Sequence, residues 1–308
     1  MKKSILLGAS LLLLSATPAF TPQAQAEATV YAYNFRSFLG GAVRGLIQMG
    51  PDGSNPTELW RDDACYSSTG VAEYLQLTGW LRNGRICGII NAYPYPDHSI
   101  NRYVERDLTS GEIILEENIN APEGDWTSFF QSAAYVPVSD CIYGFGFNAE
   151  RTAFAFKKAP ADDISQAQII SDVNTQDLCY SLCYNAEEGT IMGINLAHEL
   201  VRIDPATGKS TYIMTINADY DYKSPSGLAW IADKGAYITD HYNIGDNGYT
   251  QLSELLSLNP ESGSTSVART FANLYEFGWF VTVDNAPAVA AKGPELSLIH
   301  ISEPTRPY

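Results

Sequence analysis

The sequence has few basic residues. Lys and Arg number 19 against 35 Asp and Glu, which gives the 308-residue chain a net charge of −16. Such a chain repels nucleic acids and anionic lipids at long range. After residue 26 it also lacks any run of about 18 apolar residues, the length that a membrane-spanning helix needs. These absences predict no nucleic-acid partner and no membrane span.

Signatures of catalysis and of metal binding are also scarce. The sequence has no Gly-x-Ser-x-Gly nucleophile motif. Cys179 and Cys183 lack the second pair of ligands that a tetrahedral zinc site requires. Oxygen-rich turns occur, but none matches the twelve-residue Ca²⁺-binding loop. We therefore predict no cofactor, with a Ca²⁺ ion held by several loops as the alternative.

The number of cysteines is small and odd. There are five, at positions 65, 87, 141, 179 and 183. In an exported chain an odd number indicates a free thiol, or a disulfide partner outside the chain. Cys87 and Cys141 lie within apolar strand patterns, so we expect buried, inert thiols there.

The N-terminus has the order of a secretory signal. Two lysines are followed by an apolar run from Ile5 to Leu14 and by small residues that end in Ala24-Gln25-Ala26. This apolar run is too short to anchor the chain in a bilayer. We predict that residues 1–26 are removed and that the protein is exported to the periplasm, the cell surface or the medium.

Three stretches repeat one turn: ERDLTSGEIILEENI, VRIDPATGKSTYIMTI and LSLNPESGSTSVARTF. Each has Asp or Asn four residues before Gly, with Ser or Thr directly before that Gly. The side chain of such an Asx residue bonds backbone groups of the turn, and Gly adopts its positive φ. Each stretch therefore predicts a β-hairpin. The positions are Asp107 and Gly111, Asp204 and Gly208, and Asn259 and Gly263.

A second repeat joins an aromatic residue to a strand that starts seven residues later. The pairs are Tyr135 and Ile142, Tyr184 and Ile191, and Trp230 and Tyr237, with Trp80 and Ile86 one residue closer. The strand starts at 86, 142, 191 and 237 lie 56, 49 and 46 residues apart. Two hairpins in such a period, with almost no helical periodicity, are typical of a four-stranded propeller blade.

The sequence thus predicts an all-β fold, a β-propeller over residues 27–285. The period gives about five blades, with six as the alternative, and the strand from Thr29 to Tyr33 is expected to close the ring. An array of β-sandwiches is the other reading, although sandwich domains lack a 49-residue repeat. The third blade has lost the turn Gly in FKKAPADDISQAQII.

With these repeats, the chain resembles secreted bacterial propellers of the Kelch, WD40-like and YVTN-like kind. More narrowly, it resembles exported proteins of Bacteroidetes-type bacteria in which a propeller precedes fibronectin type III-like domains. The resemblance implies a fold rather than an activity. Neither the WD dipeptide nor the paired glycines that mark each Kelch repeat are present.

The C-terminal end has a different composition. Residues 286–295 are rich in Ala and Pro and predict a linker to further domains in the same chain. Residues 296–308 follow, and Leu296 to Arg306 resemble a translated adapter used to tag DNA libraries for sequencing. We therefore expect residues 296–308 to be non-native and a C-terminal region to be missing.

Candidate binding residues are expected on loops, because the strands of a propeller are committed to packing. Asp97 and His98 lie in a Pro-rich loop, and Asp240 and His241 are predicted to end a strand and open a loop. Each pair could act as acid and base, or could consist of solvent-facing turn residues.

Aromatic residues beside acids supply the remaining candidates. In DYDYKSP, Tyr220 and Tyr222 share one face of an extended segment. Trp126 follows Asp125 in a Gly-containing loop, where its ring could stack on a sugar while the carboxylate accepts a hydroxyl hydrogen bond. The alternative is a Trp that fills the gap between two blades.

Two functions follow from these observations. The first is a non-catalytic binding or scaffold propeller with a glycan or protein ligand. The second is a propeller enzyme, a hydrolase or lyase that acts on carbohydrate or a small ester. Its acids would be Asp62, Asp63, Asp97 and Asp240, converging on the central channel.

Overall fold

A computed structural model of the chain describes residues 28–34, 45–61, 72–93, 102–119, 125–216, 227–244, 250–272 and 277–283. These residues form twenty strands in five antiparallel sheets of four strands each. The innermost strand of each sheet contacts that of the next sheet, all the way around a ring. The fold is a five-bladed β-propeller, as the sequence predicted.

The blades follow one another along the chain. Blade 1 contains β1 (Thr29–Asn34), β2 (Gly45–Met49) and β3 (Thr57–Arg61), with β20 (Phe277–Val283). Blade 2 contains β4 (Ala72–Arg82), β5 (Arg85–Tyr93), β6 (Arg102–Asp107) and β7 (Ile113–Asn118). Blade 3 contains β8 (Ser132–Val136), β9 (Cys141–Phe147), β10 (Phe154–Pro160) and β11 (Gln168–Val173). Blade 4 contains β12 (Cys179–Asn185), β13 (Thr190–Asn195), β14 (Glu199–Ile203) and β15 (Ser210–Thr215). Blade 5 contains β16 (Leu228–Ile231), β17 (Ala236–Ile244), β18 (Thr250–Asn259) and β19 (Ser264–Ala272).

Helix is confined to single 3₁₀ turns in the part of the chain that the structure describes. They are Pro137–Ser139, Ile164–Gln166, Thr175–Asp177 and Ala232–Lys234. None of these has the length of a membrane-spanning helix.

Both ends of the ring meet in blade 1. The last strand, β20, pairs antiparallel with β1, so that Val30 faces Thr282 and Tyr31 faces Val281. The N-terminal strand therefore closes the ring, as predicted. In detail, the C-terminal strand supplies the innermost position of this blade and the N-terminal part supplies the other three.

The inner hairpins explain the aromatic repeat. Tyr135 pairs with Ile142, Tyr184 with Ile191 and Trp230 with Tyr237. The spacing of seven residues is thus the distance between cross-strand partners around a tight turn. In blade 2, where the spacing is shorter, Trp80 pairs with Cys87 instead of Ile86.

The outer hairpins of blades 2, 4 and 5 end in the predicted Asx turns. The Asp107 carboxylate accepts hydrogen bonds from the backbone N–H groups of Thr109 and Ser110 at 3.0 and 2.8 Å. The glycines that complete the three turns have φ angles between +66° and +71°. A residue without Cβ adopts this backbone conformation most easily. The glycines are Gly111, Gly208 and Gly263.

The outermost strand of every blade carries a one-residue bulge, which the sequence analysis did not identify. In each outer hairpin the register shifts so that one apolar residue of the outer strand has no direct partner. Bulges interrupt the row of free backbone groups that would otherwise pair with another chain. The bulged residues are Leu59, Ile114, Ile170, Ile213 and Ala268.

The core lies between the blades. Five buried apolar clusters occur among the described residues, and each joins two neighbouring blades of the ring. Between blades 3 and 4, for example, Phe145 and Phe156 pack with Ile191 and Val201. Apolar burial of this kind contributes about 25 cal/mol per Å². Each blade is therefore stabilised by both of its neighbours.

The connections between strands define two faces of the ring. The first and second strands of a blade, and the third and fourth, are joined on one side, which we call the hairpin face. In the described chain, the connections between second and third strands (148–153 and 196–198) and between blades 3 and 4 (174–178) lie on the other side, the crossover face. Residues 1–27 and 284–308, with the predicted signal, linker and adapter, lie outside the described residues.

Candidate functional site

The innermost strands enclose a central cavity of about 350 Å³. All five blades contribute to its wall, and Pro137 and Ala186 place an opening at the hairpin face because both lie in inner hairpin turns. The wall is formed by Gly79, Trp80, Leu81, Ala133, Ala134, Tyr135, Pro137, Leu182, Cys183, Tyr184, Ala186, Leu228, Ala229, Phe280, Val281, Thr282 and Val283.

Among the described residues, the side chains of this wall are mostly apolar and carry no charge. Its polar side chains are those of Trp80, Tyr135, Cys183, Tyr184 and Thr282, and among the described residues no Asp, Glu, His, Lys or Arg takes part. Burial raises the pKa of the Cys183 thiol well above its usual range, so the group stays protonated at neutral pH. The arrangement suits the binding of an uncharged group better than acid–base or nucleophilic chemistry.

Beside the opening, an ion-pair network joins blades 2 and 3. The guanidinium of Arg82 donates two hydrogen bonds of 2.8 Å to the Asp140 carboxylate, and it also lies near Asp162 and Glu105. The Tyr135 hydroxyl donates to the same carboxylate at 2.9 Å. Burial and this contact raise the pKa of Tyr135 to about 12. The network fixes one aromatic wall residue at the mouth of the cavity.

Asp240 and His241 lie within β17, which continues to Ile244, so their predicted position at the start of a loop is wrong. Asp240 is fully buried, and its carboxylate accepts a hydrogen bond from the Gly227 N–H at 2.8 Å. The Gly227 residue directly precedes β16 and packs against Phe280 of blade 1. Asp240 therefore holds the beginning of the innermost strand of blade 5.

The imidazole of His241 is also buried, with 1% of its surface exposed. Burial lowers its pKa, and His198 of blade 4 lowers it further. Adjacent strand residues point to opposite faces of a sheet, so Asp240 and His241 do not form an acid–base pair with each other. Neither residue belongs to the described wall of the cavity.

Trp126 lies in the segment before β8, packs against blade 3 and is 6% exposed. Its ring meets Phe129 and Phe147 edge-on, and the Arg151 guanidinium lies 4.3 Å from the ring centroid. One face of the indole is thus covered by a cation. Asp125 accepts a hydrogen bond from the Thr127 N–H at 2.8 Å. The geometry does not support an open sugar-stacking platform at this pair.

The same region contains a buried lysine that the sequence analysis missed. Lys157 in β10 is fully buried, and its Nζ donates to the carbonyls of Trp126 and Phe147 at 3.2 and 3.1 Å and to that of Phe129. Burial lowers the pKa of Lys157 to about 7. The side chain ties residues 126–129 to blade 3.

The remaining predicted site residues lie outside the described residues. They are Asp97, His98, Tyr220 and Tyr222, together with the acids Asp62 and Asp63.

The described cysteines are free thiols. Cys87 is buried, as predicted, whereas Cys141 is only partly buried. Nowhere in the described ranges do three or more His, Cys, Asp or Glu side chains meet in a group that could hold a metal ion.

No family model and no curated protein matches the chain. Solved structures do show similarity. One is TolB from Acinetobacter baumannii, at 12% identity and a TM-score of 0.42, with 77% of this chain and 52% of that chain covered. Another is the extracellular domain of the one-component system BT4673 from B. thetaiotaomicron, at 14% identity and a TM-score of 0.38, with coverage of 80% and 29%.

A third similar structure is oligogalacturonate lyase from Vibrio parahaemolyticus, at 9% identity and a TM-score of 0.35, with coverage of 66% and 73%. The chain thus spans about half of the TolB structure and less than a third of BT4673. At these identities and TM-scores, the likenesses say nothing about the activity of this chain.

Proposed function

We propose that the chain is an exported, non-catalytic binding propeller and that its ligand occupies the central cavity. The observation that carries this proposal is the cavity of about 350 Å³, enclosed by all five innermost strands and lined by apolar and aromatic residues. Its volume lies at the lower end of the ~300–1,000 Å³ typical of ligand pockets. Export rests on the predicted signal of residues 1–26.

Binding is favoured over catalysis by the chemistry of the wall. Hydrolysis of a glycoside needs two carboxyl groups roughly 5 to 9.5 Å apart on either side of the scissile bond. The described wall contains no carboxylate. Of the four acids named for the enzyme alternative, Asp240 binds the Gly227 amide, and the other three lie outside the described residues.

A ligand screen with mouth variants tests this proposal. Ligand-observed NMR of a fragment library should give hits with the wild-type protein that are lost in Ala186→Trp, because Ala186 is exposed at the opening of the cavity. Thr282→Trp places a large side chain in the cavity from blade 1 and should remove the same hits. The control is Val138→Trp, since Val138 is 84% exposed and lies outside the wall.

The expected result is a set of hits that bind the wild type and Val138→Trp equally and fail to bind both cavity variants. The unfolding temperatures of the four proteins show whether the variants are folded. Hits that bind all folded proteins equally, or no hits at all, would contradict a ligand site in the cavity.

A further inference from the structure

The cavity wall contains runs of consecutive residues. Gly79 to Leu81, Ala133 to Tyr135, Leu182 to Tyr184 and Phe280 to Val283 each border it. Side chains of a strand alternate between its two faces. One face of a strand presents only every second residue, so consecutive residues line the same cavity only where the edge of the strand faces that cavity. The backbone itself therefore forms much of this wall.

These edges carry backbone groups that the sheets do not use. Among the described strands, each innermost strand pairs only with the second strand of its own blade. In an antiparallel ladder, the N–H and C=O groups of alternate residues point away from the partner strand. Those groups face the central cavity and offer donors and acceptors beside apolar side chains.

The inner edges differ from the outer edges in their regularity. Every outer strand is bulged, whereas the runs that line the cavity keep regular pairing with their neighbours. The innermost strands are irregular at residues 76–78, at Tyr180 and at Gly278, and each irregularity lies on the crossover side of the wall residues of its strand. Regular edges are the ones that accept an added strand.

From these observations we infer that the cavity binds a short, extended and uncharged peptide through main-chain hydrogen bonds to an inner strand edge. The inference rests on the proposed function, which places the ligand in this cavity. A run of three wall residues is about 10 Å long, which matches about three peptide residues. A charged side chain would lose its hydration in a wall without a described counter-ion.

The edge of β8 offers the closest approach to a bound chain. Ala133 and Ala134 each present a single methyl group, and the pairing of β8 with β9 is regular from Ser132 to Val136. At its crossover end, the Ser132 hydroxyl donates to the Cys179 carbonyl at 2.6 Å and joins β8 to the neighbouring innermost strand. The edge is therefore held in place before a ligand arrives.

The test compares two probes on the wild-type protein. The first is acetyl-Ala-Val-Ala-methylamide, and the second is the same peptide with its backbone nitrogens methylated, which removes donors and retains side chains. Loss of two hydrogen bonds should weaken binding at least tenfold by calorimetry. Hydrogen exchange should show an amide within Ala133 to Tyr135 that a carbonyl of the first probe protects, with weaker protection by the second probe at the same concentration.

The outcomes separate the two proposals. Equal binding of both probes, or no binding of the first probe while fragments still bind in the cavity, overturns main-chain recognition and leaves the proposed function intact. Failure of peptides and fragments alike removes both. A third probe, Ala-Val-Ala placed in a Gly/Ser linker of a carrier protein, identifies the source of the peptide. If it binds with the affinity of the free peptide, the ligand is a segment of a partner protein. If it does not bind, the ligand is a free peptide.

Discussion

Blades 3 and 4 reach the same four-stranded form from different sequences. The outer hairpin of blade 4 contains the repeated turn, in which the Asp204 carboxylate accepts hydrogen bonds from the Ala206 N–H and the Thr207 hydroxyl. Blade 3 has no Gly in the corresponding turn and uses the 3₁₀ turn Ile164–Gln166 instead. Both blades nevertheless carry the bulge of the outer strand, at Ile170 and Ile213.

The difference shows which features of a blade can be exchanged. The turn signature satisfies backbone groups locally, so another turn can replace it. The bulged residues Ile170 and Ile213 both pack against a buried cluster shared with a neighbouring blade. Blade 3 also contains buried Lys157, for which no counterpart is found among the buried residues of blade 4. Packing between blades therefore defines the fold more strongly than any single turn.

The largest effect is expected from Lys157→Met. The substitution removes a donor from three carbonyls, that of Phe147 in blade 3 and those of Trp126 and Phe129 in the segment before β8. Relief of the buried charge offsets part of this loss. We expect the free energy of unfolding to fall by about 3 kcal/mol, measured by urea denaturation at pH 7. The matched control is Lys158→Met, a half-buried neighbour that should change stability by less than about 1 kcal/mol.

The pH dependence of the Lys157 variant sharpens this prediction. The pKa of Lys157 is about 7 in the folded protein, against about 10.4 in an unfolded chain. Between these values the unfolded state binds more protons, so this group makes stability rise with pH. The free energy of unfolding of the wild type should therefore rise relative to that of Lys157→Met, by up to about 1.4 kcal/mol per pH unit above pH 7. If the difference in the free energy of unfolding between wild type and Lys157→Met stayed constant from pH 7 to 9, burial would not lower the pKa of Lys157.

A smaller effect is expected where blade 4 touches blade 3. Gly208 has a φ of +71°, and a Cβ there would lie 2.5 Å from Cβ of Phe156. Gly263 occupies the same turn position in blade 5, with a φ of +66° and open space around it. Gly263→Ala should cost about 1 kcal/mol from backbone strain alone. Gly208→Ala should cost roughly 2 to 3 kcal/mol, because crowding adds to the strain.

The two glycine variants are compared by thermal and urea unfolding under the same conditions. Equal costs would mean that Phe156 moves aside without loss, and that the contact between blades 3 and 4 at this turn does not contribute to stability.

The sequence predicted the repeating features well because they are local. Hairpin spacing and Asx turns each follow from a few neighbouring residues. It did not predict the position of Lys157, since alternation places Lys157 and Lys158 on opposite faces without saying which face is buried. Asp240 was assigned to a loop because polar residues follow an apolar strand, yet its carboxylate is satisfied by Gly227, 13 residues away. The cavity arises from five strands distant in sequence, which no local pattern encodes.

The smallest effect concerns the turn of blade 4 itself. Asn259 of blade 5 accepts hydrogen bonds from Glu261 and Ser262 at 3.0 and 2.9 Å, as Asp204 accepts those of its own turn. Asp204→Asn should therefore unfold close to wild type at pH 7, whereas Asp204→Ala should be less stable.

The acid behaviour of this turn completes the prediction. Hydrogen bonds from Thr207 and Ala206 lower the pKa of Asp204. A lowered carboxyl pKa contributes stability that is present above the unfolded value of about 3.9 and is lost as pH falls through the folded value. Asp204→Asn should lack this acid dependence, as followed by urea unfolding between pH 7 and 3. The prediction would be wrong if Asp204→Asn were as unstable as Asp204→Ala at pH 7. The charge of Asp204, rather than its hydrogen bonds to the turn, would then stabilise blade 4. The turns of blades 4 and 5 would not be equivalent.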